Sequence, residues 1–464
     1  MRVLLSFAVL CGIAVFADAE DQSRPNFLFL LSDDHRGDVL GCAGHPIIKT
    51  PNIDRLAAEG VRFENAYVTT SICAASRASI LTGLVERTHQ FTFGTPPLHW
   101  SYCAISYPRL LHGAGYYTGF VGKIGIHYDA SMQSKMFDFY RPMGRNPYWK
   151  VRPDGTRRHL TDLTADIAIK FLKKQSADQP FCLSVSFNAA HAEDSDKKDH
   201  YPWPPSSNDL YTDVTFPEPE LSDPEIFEAH PEFLKESMNR DRYFWRWDTP
   251  EKFQKNMRGY FRMLSGMDHA IGRMLDELET LGMDDNTVVI FLGDNGYYMG
   301  SRGFAGKWSH YEQSLSVPLV IRDARQPDDA KGKVASQIAL NIDIAPTIVD
   351  LAGLPIPERY QGMSLAPIIK NADLSEWRHE FFCEHLMDNK RIPKWAGVRD
   401  GRYKYARYFE QDPPYEFLHD LKDDPDELVN LAGDPATDDI LMRMRTKTDN
   451  LRSQFKSDRT KGSQ

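Results

Sequence analysis

From Pro25 to about residue 375, short apolar runs alternate with segments of helical period, the pattern of an α/β unit built on a large, mostly parallel sheet flanked by helices. Three runs stand out. Phe27-Leu28-Phe29-Leu30-Leu31 stops at Ser32-Asp33-Asp34-His35. The run from Phe181 to Phe187 stops at Asn188-Ala189-Ala190-His191, and Val288-Val289-Ile290-Phe291-Leu292 stops at Gly293-Asp294-Asn295-Gly296. Ligands of open α/β sheets sit beyond the carboxyl ends of strands, so three apolar strands that each spill into polar residues predict one shared site.

The helices are marked at both ends. Thr50-Pro51 supplies an N-cap and a first-turn proline, and Gly60 stops the helix that carries Ile53, Leu56 and Ala57. Leu264, Met267, Ile271, Met274, Leu275, Leu278 and Leu281 form the apolar face of a long helix that closes at Gly282. Between His191 and Pro250 the chain turns rich in proline, aromatics and charge, with Trp203, Trp245 and Trp247, and predicts a long ordered insertion over the site, with packing of the loop to the body an equal use of the tryptophans. After Trp377 aromatics alternate with charges, then come Asp420-Leu421 and Asp424-Pro425. That texture predicts a smaller C-terminal α+β subdomain with an antiparallel sheet and a final helix. The division reads as a leader over 1–19, a main domain over 20–375 and a C-terminal subdomain over 376–464.

The leader is read from Arg2, the apolar stretch from Val3 to Ala17, and Ala17-Asp18-Ala19. These match a secretory signal peptide cut after Ala19, which predicts a secreted or periplasmic protein. No later segment is long and apolar enough to span a bilayer, so no stable membrane insertion is expected. The chain has 464 residues, 41% hydrophobic and 26% charged, which excludes intrinsic disorder and allows a large core. A net charge of −10 argues against a broad grip on nucleic acid or anionic lipid. Of 6 cysteines, Cys11 leaves with the signal peptide. The remainder is odd in number in an oxidising compartment, so at least one is unpaired or chemically altered.

Asp33, Asp34, Asp294 and Asn295 offer oxygen donors at two strand ends, a set that suits calcium or magnesium. Zinc fits poorly, because neither end carries a Cys or His cluster at ligand spacing. The same Asp-Asp and Asp-Asn-Gly strings are also common turn chemistry. Cys73 lies beside Arg77 at a helix start, where dipole and cation favour a nucleophilic thiolate; a buried structural cysteine is the alternative.

Cys73-Ala74-Ala75-Ser76-Arg77-Ala78-Ser79-Ile80-Leu81-Thr82-Gly83 resembles the signature of the type I, formylglycine-dependent sulfatases. Thr50-Pro51-Asn52-Ile53-Asp54-Arg55-Leu56, Gly115-Tyr116-Tyr117-Thr118, Gly122-Lys123, Asp294-Asn295-Gly296, Gly306-Lys307-Trp308 and Tyr311-Glu312 resemble further segments in family order. The resemblance runs over about 25–435. It implies an alkaline-phosphatase-like fold, one calcium ion and hydrolysis of a sulfate ester. It also implies that a formylglycine-generating enzyme oxidises Cys73 to formylglycine. Asp33, Asp34, Asp294 and Asn295 would hold calcium with the modified Cys73, Arg77 would orient the formylglycine, and Lys123, His191 and Lys307 would surround the sulfate.

This chain departs from the family pattern in four places. Ala75 stands where proline is usual, which bears on maturation. Gly125 stands where histidine is usual, with His127 the nearest substitute. Ser301-Arg302 replaces Glu-His and predicts an extra cation facing the substrate. His191 is followed by Ala192-Glu193-Asp194 rather than a proline-bearing stretch. The implied substrate is a sulfated poly- or oligosaccharide, with aromatic faces packing on sugar rings. Glu384, His385, Asp388 and Asn389 are expected to reach over the cleft toward sugar hydroxyls. Two rivals remain at this level: a phosphate mono- or diesterase on the same sheet, and a silent glycan-binding module.

Overall fold

In the computed structural model, which describes residues 24–456 apart from 177, 372, 373 and 375, the central strands are buried on both faces. Residues of β1 (Asn26–Ser32) point alternately to two cores: Phe27, Phe29 and Leu31 to one, Leu28 and Leu30 to the other. A strand covered on both sides has no face to leave polar, hence the unbroken apolar run.

Its partners are β2 (Val61–Phe63), β3 (Tyr117–Gly122), β4 (Phe139–Pro142), β5 (Phe181–Ser186), β6 (Thr287–Gly293), β7 (Leu319–Asp323) and β8 (Lys333–Ala335). The order across the sheet is β8-β2-β7-β6-β1-β5-β3-β4. Only β7 runs antiparallel to its neighbours; every other pairing is parallel. The three strands predicted to share a site are thus adjacent at the centre.

On the Leu28 face lie α1 (Pro51–Ala58), α3 (Leu160–Leu172) and α5 (Pro250–Thr280). On the other face lie α2 (Cys73–Thr82) and α6 (Ile344–Leu351). The methionine-rich stripe of α5 is core, as its period predicts, and Gly282 follows the helix at φ +64°. The start of α1 differs from expectation. Thr50 makes no capping bond; its hydroxyl donates to Asp54 at 3.0 Å instead. The capping acceptor is Asp268 of α5, which takes the Asn52 and Ile53 N–H groups at 3.1 and 2.8 Å. A carboxylate meets the helix dipole better than a hydroxyl.

The insertion holds α4 (Met238–Arg246), and of its tryptophans Trp247 turns inward while Trp203 and Trp245 stay half-buried. Trp247 is buried against Tyr201 and Phe253, and Trp203 donates to Asn208 at 2.9 Å. Trp247 through Phe253 and Trp203 under Arg262 anchor the insertion to α5. Four strands follow in simple antiparallel order, β9 (Glu380–His385), β10 (Trp395–Asp400), β11 (Tyr403–Tyr408) and β12 (Tyr415–Asp420), with α7 (Asp438–Gln454) packed on them. The predicted signal peptide lies outside the described residues. Among the described residues no helix is long and apolar enough to cross a membrane. Cys42, Cys73, Cys103, Cys182 and Cys383 are all unpaired.

Candidate active site

The register of the central strands builds the site. Ser32 lies opposite Gly293 across β1 and β6, so Asp33-Asp34 and Asp294-Asn295 leave adjacent strands at the same level. Leu31 lies opposite Ser186 of β5, which delivers Asn188 and His191 to the same edge. From below, α2 presents Cys73 in its first turn, and all ten residues of this helix are buried. Ligand atoms of Asp33, Cys73 and Asp294 lie within 4.8 Å of one another, as do those of Asp33, Asp34 and His191.

Cations interleave with these carboxylates. Arg77 Nε donates to Asp294 Oδ2 at 2.8 Å, and its Nη1 donates to the Lys123 carbonyl at 2.6 Å and to the Ser186 hydroxyl. Lys123 Nζ pairs with Asp33 and Lys307 Nζ with Asp34. Asn295 Nδ2 donates to Asp34 Oδ1 at 2.7 Å, and His191 Nε2 stands 3.7 Å from Asp34 Oδ2. Burial resists ionisation of Asp33, yet Lys123, Arg77 and Lys307 outweigh it and hold this carboxyl below its ordinary value. Burial and the Asp33 charge push Asp294 up to about 6. Burial, reinforced by Arg145 and Lys307, keeps the His191 imidazole well below its usual range and therefore neutral.

Asp33 Oδ1 and Asn295 Oδ1 are buried and have no hydrogen-bond partner. Orphaned buried acceptors demand a partner, and a carboxylate and an amide oxygen at the ends of adjacent strands suit a hard cation. The residues therefore fit calcium. Three carboxylates (Asp33, Asp34, Asp294) balance three cations (Arg77, Lys123, Lys307), so a bound dication would leave the site net positive and suited to an anion.

The site opens into a cavity of about 610 Å³ lined by Cys73, Lys123, His127, His191 and Lys307 among others. His127 is exposed at the cavity wall, and its carbonyl accepts from Leu98 N–H at 2.7 Å. Position 125 shows why histidine is absent there: Gly125 has φ +67°, and a Cβ would come within 2.9 Å of Arg77 Cδ. Arg302 does not face the cavity. It is buried against the C-terminal subdomain, donating to the Asp426 carbonyl and to Gln313 at 3.1 Å, because its charge is met there by Glu427. Of the four residues expected over the cleft, only Asn389 lines the cavity. Glu384 and His385 are fully buried, and Asp388 pairs with Lys394 at 3.0 Å. The sequence reading missed Arg145, Arg242, Met238 and Met387, which also line the cavity. Isolated arginines and methionines in loops or a short helix carry no periodic signal that would single them out.

A parallel sheet with a carboxylate cluster and a helix-borne cysteine at its carboxyl edge defines a hydrolase site of the alkaline-phosphatase-like kind. The sulfatase family profile matches residues 25–354, and the chain belongs to this family of sulfuric ester hydrolases. A second profile, N-sulphoglucosamine sulphohydrolase, C-terminal, matches residues 300–454. The chain is 28% identical to an N-acetylglucosamine-6-O-sulfatase of Bacteroides thetaiotaomicron, over 89% of this chain and 84% of the relative. It is 29% identical to an arylsulfatase of Clostridium perfringens, over 88% and 90%. A solved structure of an enzyme with its substrate D-glucosamine-2-N,6-O-disulfate superposes with a TM-score of 0.82 at 25% identity, covering 93% of this chain and 98% of that one. The phosphonate monoester hydrolase of Agrobacterium radiobacter shares the fold, with a TM-score of 0.77 at 24% identity over 93% and 96%.

Proposed function

We propose that this sulfatase removes sulfate from a sulfated saccharide, using Cys73 after its oxidation to formylglycine by a formylglycine-generating enzyme, beside one calcium ion. The observation that carries the reading is the position of Cys73: the start of a buried helix, within ligand distance of Asp33 and Asp294, at the floor of a cavity lined by Lys123, His191 and Lys307. The relatives that act on sulfated glucosamines support the saccharide class. The leader from Arg2 to Ala19 supports export.

Asp33, Asp34, Asp294 and Asn295 would hold the ion, which when bound offsets carboxylate charge and polarises sulfate oxygens. As a hydrated aldehyde, residue 73 supplies one hydroxyl to attack sulfur and a second whose deprotonation expels sulfate. Arg77, anchored on Asp294 and the Lys123 carbonyl, fixes the helix edge from which residue 73 projects. Lys123 and Lys307 turn between their carboxylates and the sulfate oxygens, where charge develops. Lys307, held protonated against burial by the carboxylates around it, is the group at hand to protonate the departing sugar oxygen, with the neutral His191 beside it as a hydrogen-bonding partner.

The test is turnover of para-nitrophenyl sulfate and a panel of sulfated saccharides by protein made beside a formylglycine-generating enzyme, with mass spectrometry of the peptide bearing residue 73. Aldehyde at that residue and free sulfate are expected, and Cys73→Ala loses activity by roughly a thousandfold or more. Full activity with an unoxidised thiol, or faster release of phosphonate than of sulfate from matched aryl esters, overturns the reading. For the ion, chelation abolishes turnover and added calcium restores it; chelator-insensitive turnover removes calcium from the scheme.

A further inference from the structure

Beside the acidic cluster, three guanidiniums converge on one carboxylate. Asp194 pairs with Arg246 through Oδ1, and with Arg242 and Arg145 through Oδ2 at 3.3 and 3.5 Å. Arg246 is completely buried and makes the closest of the three contacts, so it neutralises the carboxylate by itself. The other two contacts are longer than the roughly 2.7–2.9 Å of a charge-assisted hydrogen bond. Three cations on one anion leave a surplus of two positive charges, carried by Arg242 and Arg145.

Both of these arginines, with Asp194, line the same cavity as Cys73. Neither is needed to balance Asp33, Asp34 or Asp294, which already have Arg77, Lys123 and Lys307. Arg242 Nε is buried without a hydrogen-bond partner, an unmet donor in a protein-lined site. Its guanidinium lies 4.9 Å over the ring of Trp308, which holds the planar fork in place. Apolar side chains, Met238, Met387 and Ile392, complete this part of the lining, a surface suited to the C–H face of a sugar ring.

We infer that Arg242 and Arg145 form a second anion subsite, and that the substrate is a saccharide carrying, besides the ester sulfate, another anionic substituent, either a carboxylate or a second sulfate. Arg145 also contacts Asn146 Oδ1 at 3.2 Å and His191 Nδ1, which are uncharged, so a neutral sugar would leave the surplus charge of both guanidiniums and the Arg242 Nε donor unmet. An anion makes bidentate contacts with such forks. The inference rests on the sulfatase reading and narrows its substrate class.

The test uses full-length Cys73→Ala protein, which binds without turnover, and calorimetry with three saccharides: one sulfate ester alone, a sulfate ester plus a carboxylate, and two sulfates. At least one doubly anionic saccharide binds about tenfold or more tighter than the monosulfated one, as expected for added charge-assisted contacts. Arg242→Gln removes most of that preference, and Arg242→Lys retains part of it. In the mature enzyme the same ratio appears in kcat/KM. The carboxylate and disulfate arms distinguish the two sources of the second charge. Equal affinity for all three saccharides overturns the inference. So does an Arg242→Gln loss that is the same for single and double anions, because Arg242 then serves the ester sulfate itself. Failure of the sulfatase reading looks different: mature protein releases no sulfate from any of the three or from para-nitrophenyl sulfate, and both proposals fall together.

Discussion

Glu86 and Glu384 are buried carboxyls that share one nearby guanidinium. Arg87 reaches Glu384 at 2.5 Å and donates its backbone N–H to the same side chain at 2.8 Å, while Glu86 takes the Thr70 hydroxyl at 2.6 Å and the Leu386 N–H. Burial, with Glu384 opposite, pushes Glu86 up to about 8; burial also lifts Glu384 to about 7 despite Arg87 and the more distant Arg452. Between the ordinary glutamate value and about 8 the folded chain keeps protons that the unfolded chain has released. Stability therefore falls as pH rises through that window, by about 1.4 kcal/mol for each pH unit over which one proton of difference is held. Glu86→Gln has no proton to lose, so its melting temperature declines less between pH ~5 and ~8 than that of the parent. Parallel melting curves against pH would show that Glu86 is not the group responsible.

The elements were legible where local pattern and tertiary demand agree. The runs that became β1, β5 and β6 announce themselves because a strand covered on both faces must be apolar throughout. The stripe on α5 is equally plain because one side of that helix meets the sheet. What escaped was set by residues far apart in the chain. The cap of α1 comes from Asp268, more than two hundred residues beyond Asn52, and no inspection of Thr50-Pro51 reveals it. The acidic strings and Cys73 taken alone read equally as turn chemistry and a structural cysteine; the resemblance of the segment from Cys73 to Gly83 singled them out, and folding brings Asp33, Cys73 and Asp294 together. Arg145 and Arg242 were not singled out, since each is one cation in a loop or a short helix, and only folding sets them on either side of Asp194. Arg302 was misplaced for the same reason. Its charge suggested a substrate contact, but Glu427 and the Asp426 carbonyl claim it within the protein. Likewise the tryptophans of the insertion signal burial as strongly as they signal sugar binding, and packing decided between them.

That destination of Arg302 matters for the molecule as a unit. The main sheet and the C-terminal sheet meet through a buried network in which Lys404 bridges Glu427 and Glu312, Arg399 reaches Glu312 at 3.2 Å, and Glu427 accepts the Glu312 N–H at 2.9 Å. Burial resists the charge on Glu312, but Lys404 and Arg399 outweigh it and hold the carboxyl at about 2. Trp395 of β10, fully buried, donates to the Trp308 carbonyl at 2.7 Å and so ties the second sheet to the residue beside Lys307. The two family profiles overlap between residues 300 and 354, the stretch that supplies Arg302, Trp308 and Glu312 to this contact. A seam that contributes a wall of the active-site cavity cannot open without disturbing it, so the two parts should unfold together. Urea denaturation is expected to show one transition, with sulfate release and tryptophan fluorescence lost at the same midpoint. Glu427→Gln leaves Lys404 with Glu312 alone and Arg302 with neutral acceptors only, and breaking a buried pair on one side costs up to about 3–5 kcal/mol. The midpoint then moves to lower urea while remaining single. Two separated transitions in the parent chain, with activity surviving the first, would show that the C-terminal sheet is an appendage and that the charge network does not couple it to the catalytic edge.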